Sequence, residues 1–135
     1  MIKGIDLNRY QRGELEDGDQ VRLGGYDFAI VEATWGLIVM PSFAEFWPPL
    51  VDAGVIVMAY GFFCGDFSGQ AQAEVLLRAV EPMHRAQGLV MPLWSDVEEF
   101  PGDSSTVGIR RLNWLKWVDA VRGVMDPGAY SSERY

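Results

Sequence analysis

Cys64 is the chain's one cysteine, so no disulfide can form within it, and His84 is the one histidine, which leaves no second imidazole to complete a metal site. Basic residues are scarce, 11 Lys and Arg against 19 Asp and Glu, for a formal charge of -8. That balance excludes a phosphate-backbone partner, which needs clustered cations, and no nucleic acid is expected. Long apolar runs are missing too. Stretches such as "AGVIVMAYGFF" fall short of the roughly 18 residues of a spanning helix, so no membrane span is expected. The start "MIKGIDLNRY" lacks the basic and apolar regions of a secretory signal. Neither a phosphate-binding glycine loop nor a G-x-S-x-G elbow occurs, and nothing calls for a cofactor.

What the sequence does hold is enough apolar side chain, 49% hydrophobic over 135 residues, to bury one globular core. Short β-branched and aromatic runs predict strands at Lys3 to Asp6, Tyr26 to Ala33, Val55 to Phe63, Leu89 to Val97 and Gly128 to Ser131. Helical spacing falls between them. Residues 69–88 place Val75, Leu76, Ala79, Val80 and Met83 on one face, with Gly88 as a stop and Pro82 expected to kink or restart the helix. Over residues 104–123, Ser104 or Ser105 is the expected cap and Leu112, Leu115 and Val118 the expected stripe. A third helix is expected over Phe43 to Ala53, with Pro48 and Pro49 in its first turn. The segment from Gly13 to Gly24 carries the poorest signal. Strand and helix alternation predicts a parallel sheet with right-handed crossovers, as a barrel or a doubly wound sheet, and no linker divides residues 1–135 into more than one domain.

In such folds functional side chains gather at the carboxyl ends of strands. Asp6 closes the first predicted strand and Asp96 and Glu98 the fourth. Strand alternation puts Asp96 and Glu98 on one face, about 6.5 Å apart at Cα. Two carboxyl groups that close in a partly dry cleft do not ionise equally easily, so one keeps its proton towards neutral pH. Acid and base of that kind cleave glycosidic bonds. The blander reading is a set of solvated loop acids. Tyr10, Trp35, Tyr60, Phe62, Trp94 and Phe100 fall near the same strand ends, where rings could stack on sugars, although most aromatics at such spacing are core. Asp66, Asp103 and the acids between Glu14 and Asp19 read as solvated loop charges, His84 as a surface residue and Cys64 as a small buried hydrophobe.

The ordered blocks "KGIDLNRYQ", "YDFAIVEATWG", "AGVIVMAYGFF", "QAQAEVLL", "LWSDVEEF" and "PGAYSSERY" resemble glycoside hydrolase family 25, the N-acetylmuramidases or lysozymes of bacteria and of phage endolysins. The resemblance implies a TIM-like (β/α) barrel that hydrolyses the β-1,4 bond between N-acetylmuramic acid and N-acetylglucosamine in peptidoglycan. It implies Glu98 as general acid/base, Asp96 as nucleophile or as the group that positions the 2-acetamido substituent, and Asp6 as electrostatic support. Tyr60 would line the sugar site, with Phe62, Tyr10, Trp35 and Tyr130 as further substrate contacts. The chain departs from the family's usual residues at Arg9, Glu32, Trp35 and Gly61, changes expected to alter the groove. About five strands are predicted, and five cannot close a barrel that normally needs about 200 residues. The expectation is therefore an incomplete barrel, part of a longer product or completed by a second chain or a second copy. The expected setting is a phage or bacterial protein acting at the bacterial wall after lysis-associated or non-classical release. The alternative is an inactive module that binds wall glycan or serves in a phage particle.

Overall fold

The computed structural model describes residues 1–12, 18–98 and 102–130, the last by its backbone. Its elements run β1 (Gly4–Leu7), a 3-10 turn (Arg9–Gln11), α1 (Gly18–Leu23), β2 (Phe28–Trp35), β3 (Ile38–Val39), α2 (Pro41–Asp52), β4 (Ile56–Phe62), α3 (Gly69–Gln87), β5 (Leu93–Asp96), α4 (Val107–Arg122) and β6 (Pro127–Tyr130). Strands β1-β2-β4-β5-β6 lie side by side in that order, all parallel. The fold is a parallel α/β sheet flanked by helices, the arc of an incomplete β/α barrel. Each crossover helix returns the chain to the strand edge next in line, as sequential βα units require.

Alternation along the strands divides the sheet into two faces. Leu7, Ala29, Val31, Ala33, Val57, Ala59 and Leu93 join Phe43, Phe46 and Leu50 of α2, Leu76, Val80 and Met83 of α3, and Trp117 and Val121 of α4 in one apolar core. Asp6, Glu32, Tyr60, Phe62, Trp94 and Asp96 fall on the opposite face. That face is crowded by large rings, and glycines make room for them. A Cβ on Gly4 would lie 2.0 Å from the Phe28 ring, and one on Gly128 would lie 2.6 Å from the Trp94 indole.

Several expectations need correction. Residues 18–23, read as the poorest segment, form α1; the earlier part of that stretch lies outside the described residues. The β2 to β3 hairpin, with Gly36 at φ 54° in its turn, was not foreseen; a two-residue strand is too short to show a period. Residues 89–92, expected as strand, precede β5 without joining it. Pro82 neither ends nor restarts α3, which runs unbroken from Ser68, whose hydroxyl accepts from the Ala71 N–H, to Gly88 in the left-handed conformation. In α2 it is Pro41 that sits in the first turn, while Pro48 and Pro49 lie inside the helix. The carbonyls they leave without i+4 donors belong to Ala44 and Glu45, both exposed, where water can take the place of the missing N–H groups. Helix α4 is capped by Thr106, not Ser104 or Ser105. Its inward stripe is the partly buried Trp114 with the buried Trp117, Val118 and Val121, while Leu112 and Leu115 face outward. The i, i+3, i+4, i+7 spacing of the tryptophans with the valines fits a helical face better than three residues spaced i, i+3, i+6.

Candidate active site

The carboxyl ends of β1, β2, β4 and β5 open on one rim. In register, Glu32 of β2 lies beside Tyr60 of β4, Tyr60 beside Trp94 of β5, and Phe62 beside Asp96. The Phe63 N–H donates to the Asp96 carbonyl at 2.8 Å, which ties the ends of β4 and β5 together. Asp96 is the last residue of β5 and Glu98 stands two residues on, half-buried. Glu98 therefore lies just past the strand rather than within it.

Asp96 is 8% exposed, and its Oδ1 is buried without a hydrogen-bond partner among the described residues. Burial first, then the charges of Glu98, Asp6 and Glu32 in that order, push its carboxyl up to about 7. Asp6 keeps exposed surface, yet the part of its carboxyl turned to the sheet is desolvated enough to raise its pKa as well. Strands β1 and β5 are separated by β2 and β4. In a flat sheet, three spacings would put Asp6 and Asp96 about 14 Å apart. The two share one face of the sheet, and the charge of Asp6 is among the causes that raise the Asp96 carboxyl, after burial and Glu98. Asp6, Glu32, Asp96 and Glu98 thus form one electrostatic cluster. Asp96 is the carboxyl that burial and neighbouring charge raise towards neutral pH.

Glu32 was read only as a departure from the family and not as a member of the acid cluster. It is 2% exposed, and its two oxygens accept from the Arg9 backbone N–H at 3.2 Å and from Arg9 Nη2 at 3.1 Å. Burial raises the Glu32 pKa, Arg9 opposes that through its hydrogen bond and charge, and Asp6 adds to the rise. The signal available in the sequence was an acid inside the apolar run "FAIVEATW", a place where an ionised group needs a partner.

Of the aromatics singled out, Tyr60 and Phe62 are buried on the face that carries Asp96. Trp35 stacks on Phe62 with ring centroids 3.9 Å apart and planes 3° apart. Tyr10 is exposed on the 3-10 turn, 5.6 Å from the Arg9 guanidinium. The backbone of Tyr130 pairs with Asp96; its side chain lies outside the described residues, as does Phe100. Gly61 does not face the groove. A Cβ there would lie 2.6 Å from Thr34 Oγ1 and 3.3 Å from Leu76 of α3, so this departure bears on helix packing.

Two further expectations are overturned. Asp103 is no solvated loop charge, since its side chain is 2% exposed and paired with Arg110 at 3.0 Å. Burial works against the anion, yet hydrogen bonds from Ser105 and the Arg110 charge hold its pKa below the usual value. His84 is buried rather than a surface residue, and burial lowers its pKa. Cys64 is buried as expected; burial, then the charges of Asp103 and Asp66, push its thiol up to about 11. Among the described residues no cluster of His, Cys, Asp and Glu could hold a metal ion, and no helix is long and apolar enough to cross a membrane.

No sequence-family profile matches the chain, and no curated protein sequence does. Solved structures do resemble it. A family 25 glycosyl hydrolase from Bacillus anthracis superposes with a TM-score of 0.81 at 25% identity, over 97% of this chain and 60% of that one. A bacterial lysozyme from Streptomyces coelicolor gives 0.80 at 21% identity, over 96% and 62%. A family 25 lysozyme from Aspergillus fumigatus gives 0.78 at 17% identity, over 96% and 65%. The fold is that of the family 25 barrel, and the chain spans less than two thirds of the length of each of these relatives in structure.

Proposed function

We propose that this chain supplies the acid-bearing part of a peptidoglycan hydrolase that cleaves the β-1,4 bond between N-acetylmuramic acid and N-acetylglucosamine. The observation that carries the reading is the gathering of Asp6, Asp96 and Glu98 at one rim of a sheet with the family 25 fold. In this mechanism Asp96 and Glu98 divide the roles of anion and acid between them. Glu98, the less buried of the two, hands a proton to the leaving glycosidic oxygen and later takes one from water. Asp96 then faces the anomeric centre or the 2-acetamido group, and Asp6 adds negative charge beneath the oxocarbenium-like transition state. Tyr60, Phe62 and Trp35 form the inner wall of the sugar site, with Tyr10 and Tyr130 at its margins. As part of the same proposal, residues 1–135 act as one unit, the amino-terminal portion of a barrel closed by further polypeptide. Its place of action is the bacterial wall, reached from a phage or a bacterium at lysis or by non-classical release.

A second reading is a module that binds wall glycan without cutting it. It is favoured by the Trp35 and Phe62 stack, which with Arg9 lying over Trp35 fills space beside Asp96. Incubation with purified peptidoglycan separates the two, scored by new reducing ends and by co-sedimentation. Hydrolysis by the chain that falls about 100-fold or more in Glu98→Gln supports the enzyme. Co-sedimentation with no reducing ends from either protein supports the binding module and ends the hydrolase proposal for this chain.

A further inference from the structure

Arg9 has no part in the reaction as proposed, yet it is a cation that touches the acid cluster, through Glu32. Three contacts fix it. Its backbone N–H and its Nη2 reach the two oxygens of Glu32 at 3.2 and 3.1 Å. Its guanidinium lies 4.1 Å from the Trp35 ring, which in turn is stacked on Phe62, the register neighbour of Asp96. An exposed ion pair between two free side chains does little. Here the carboxylate is buried on a strand and the arginine, its side chain 32% exposed, is held by its own backbone and by an aromatic platform, so the pair has one geometry and solvent reaches it from the arginine side alone.

We infer that Arg9 is a positioning residue that decides which buried carboxyl group of the cleft carries the proton: by holding Glu32 as an anion, it leaves the proton to Asp96. Asp6 faces this group from β1, Tyr60 from β4, Asp96 and Glu98 from β5 and the residues after it, and Tyr10 adjoins Arg9 on the turn. Cys64 and Asp66 line one pocket with Trp35, and Arg110, beyond them, is engaged by Asp103. None of these offers Glu32 a second positive charge. Without Arg9, Glu32 would be a buried anion beside Asp6 and Asp96, and the first proton available on lowering the pH would go to it. The inference rests on the hydrolase reading for its catalytic meaning, whereas the placement of the proton does not depend on any glycan.

The test is carboxyl-carbon NMR titration of the whole chain, assigned for Asp6, Glu32, Asp96 and Glu98, in the wild type and in Arg9→Gln, with folding checked by amide spectra. The titration midpoint of Glu32 is expected to rise by about one to three pH units, the range an opposite charge at contact commands. That of Asp96 is expected to fall, because a protonated Glu32 no longer repels its anion. Arg9→Met, which keeps the aliphatic stem over Trp35, serves as a second neutral replacement if the glutamine variant does not fold. Arg9→Lys, which keeps the charge, is expected to restore part of the Glu32 shift. An unmoved Glu32 in whichever neutral variant folds overturns the inference, as does a lysine variant that behaves like the neutral ones. Absence of glycan cleavage by the wild type would sink the hydrolase reading and leave the titration result standing.

Discussion

Asp96 shows how a single buried carboxyl couples chemistry to stability. Its pKa in the folded chain, about 7, lies above the unfolded value of about 3.9. Between those two values the folded state binds more protons than the unfolded state, so stability falls as pH rises from about 4 to about 7 and levels off above. This is the opposite of a salt-bridged aspartate. The cost is present where Asp96 is ionised, at the pH where a hydrolase would need that anion. Asp96→Asn removes the buried charge, and urea unfolding is expected to find the variant more stable than wild type by roughly 1 to 3 kcal/mol at pH 8, and by much less at pH 4.5. Equal stability differences at the two pH values would mean that Asp96 is not held in its neutral form by the fold.

At the scale of elements, β4 and α3 are joined by more than apolar contact. Two glutamines, one near each end of α3, bond to main-chain groups of β4 and of the loop after it. The Gln87 Nε2–H donates to the Val57 carbonyl at 3.0 Å, and its Oε1 accepts from the Val57 N–H at 3.2 Å. The buried Gln72 donates from Nε2 to the carbonyls of Cys64 at 2.9 Å and Phe67 at 3.2 Å, and accepts from the Cys64 N–H at 2.9 Å. Those bonds satisfy a loop that leaves the rim next to Phe62. Replacing Gln72 by Leu fills the same space but strips partners from buried backbone groups, a cost of about 1 to 3 kcal/mol in chemical denaturation. Hydrogen exchange of residues 64–68 is expected to quicken more than that of the α3 interior. Uniform loss of protection would show that Gln72 acts on the whole fold and not on the loop. Helical periodicity made α3 legible in the sequence, but a polar residue on its apolar side gave no hint of which backbone it meets.

For the molecule as a whole, β1 and β6 are the outer strands of the described sheet, each with one edge unpaired within it. Unpaired edges template further pairing unless charge or cover prevents it. A net charge of -8 keeps copies apart at low ionic strength. Salt of about 0.3 M, where screening acts over less than about 8 Å, is therefore expected to raise the apparent mass in light scattering relative to about 0.02 M. A mass that does not change with salt would show the edges to be covered. Closure of the arc by further polypeptide, whether a second chain or a second copy, would remove both edges and the association with them.

The alternation of apolar strands and amphipathic helices, set by side-chain period, determined the parallel α/β sheet, the three crossovers through α2, α3 and α4, and the placing of Asp6 and Asp96 at strand ends. Those are local properties: a period of two or of 3.6 is written along the chain. Only the tertiary structure decided that Glu32 belongs to the acid cluster, that Arg9 holds it, that Asp103 is paired and His84 buried, and that Leu112 and Leu115 turn outward. Each of these depends on which strands become neighbours and how far the sheet curves, and the energy of a buried charge is fixed by partners that can lie anywhere in the sequence.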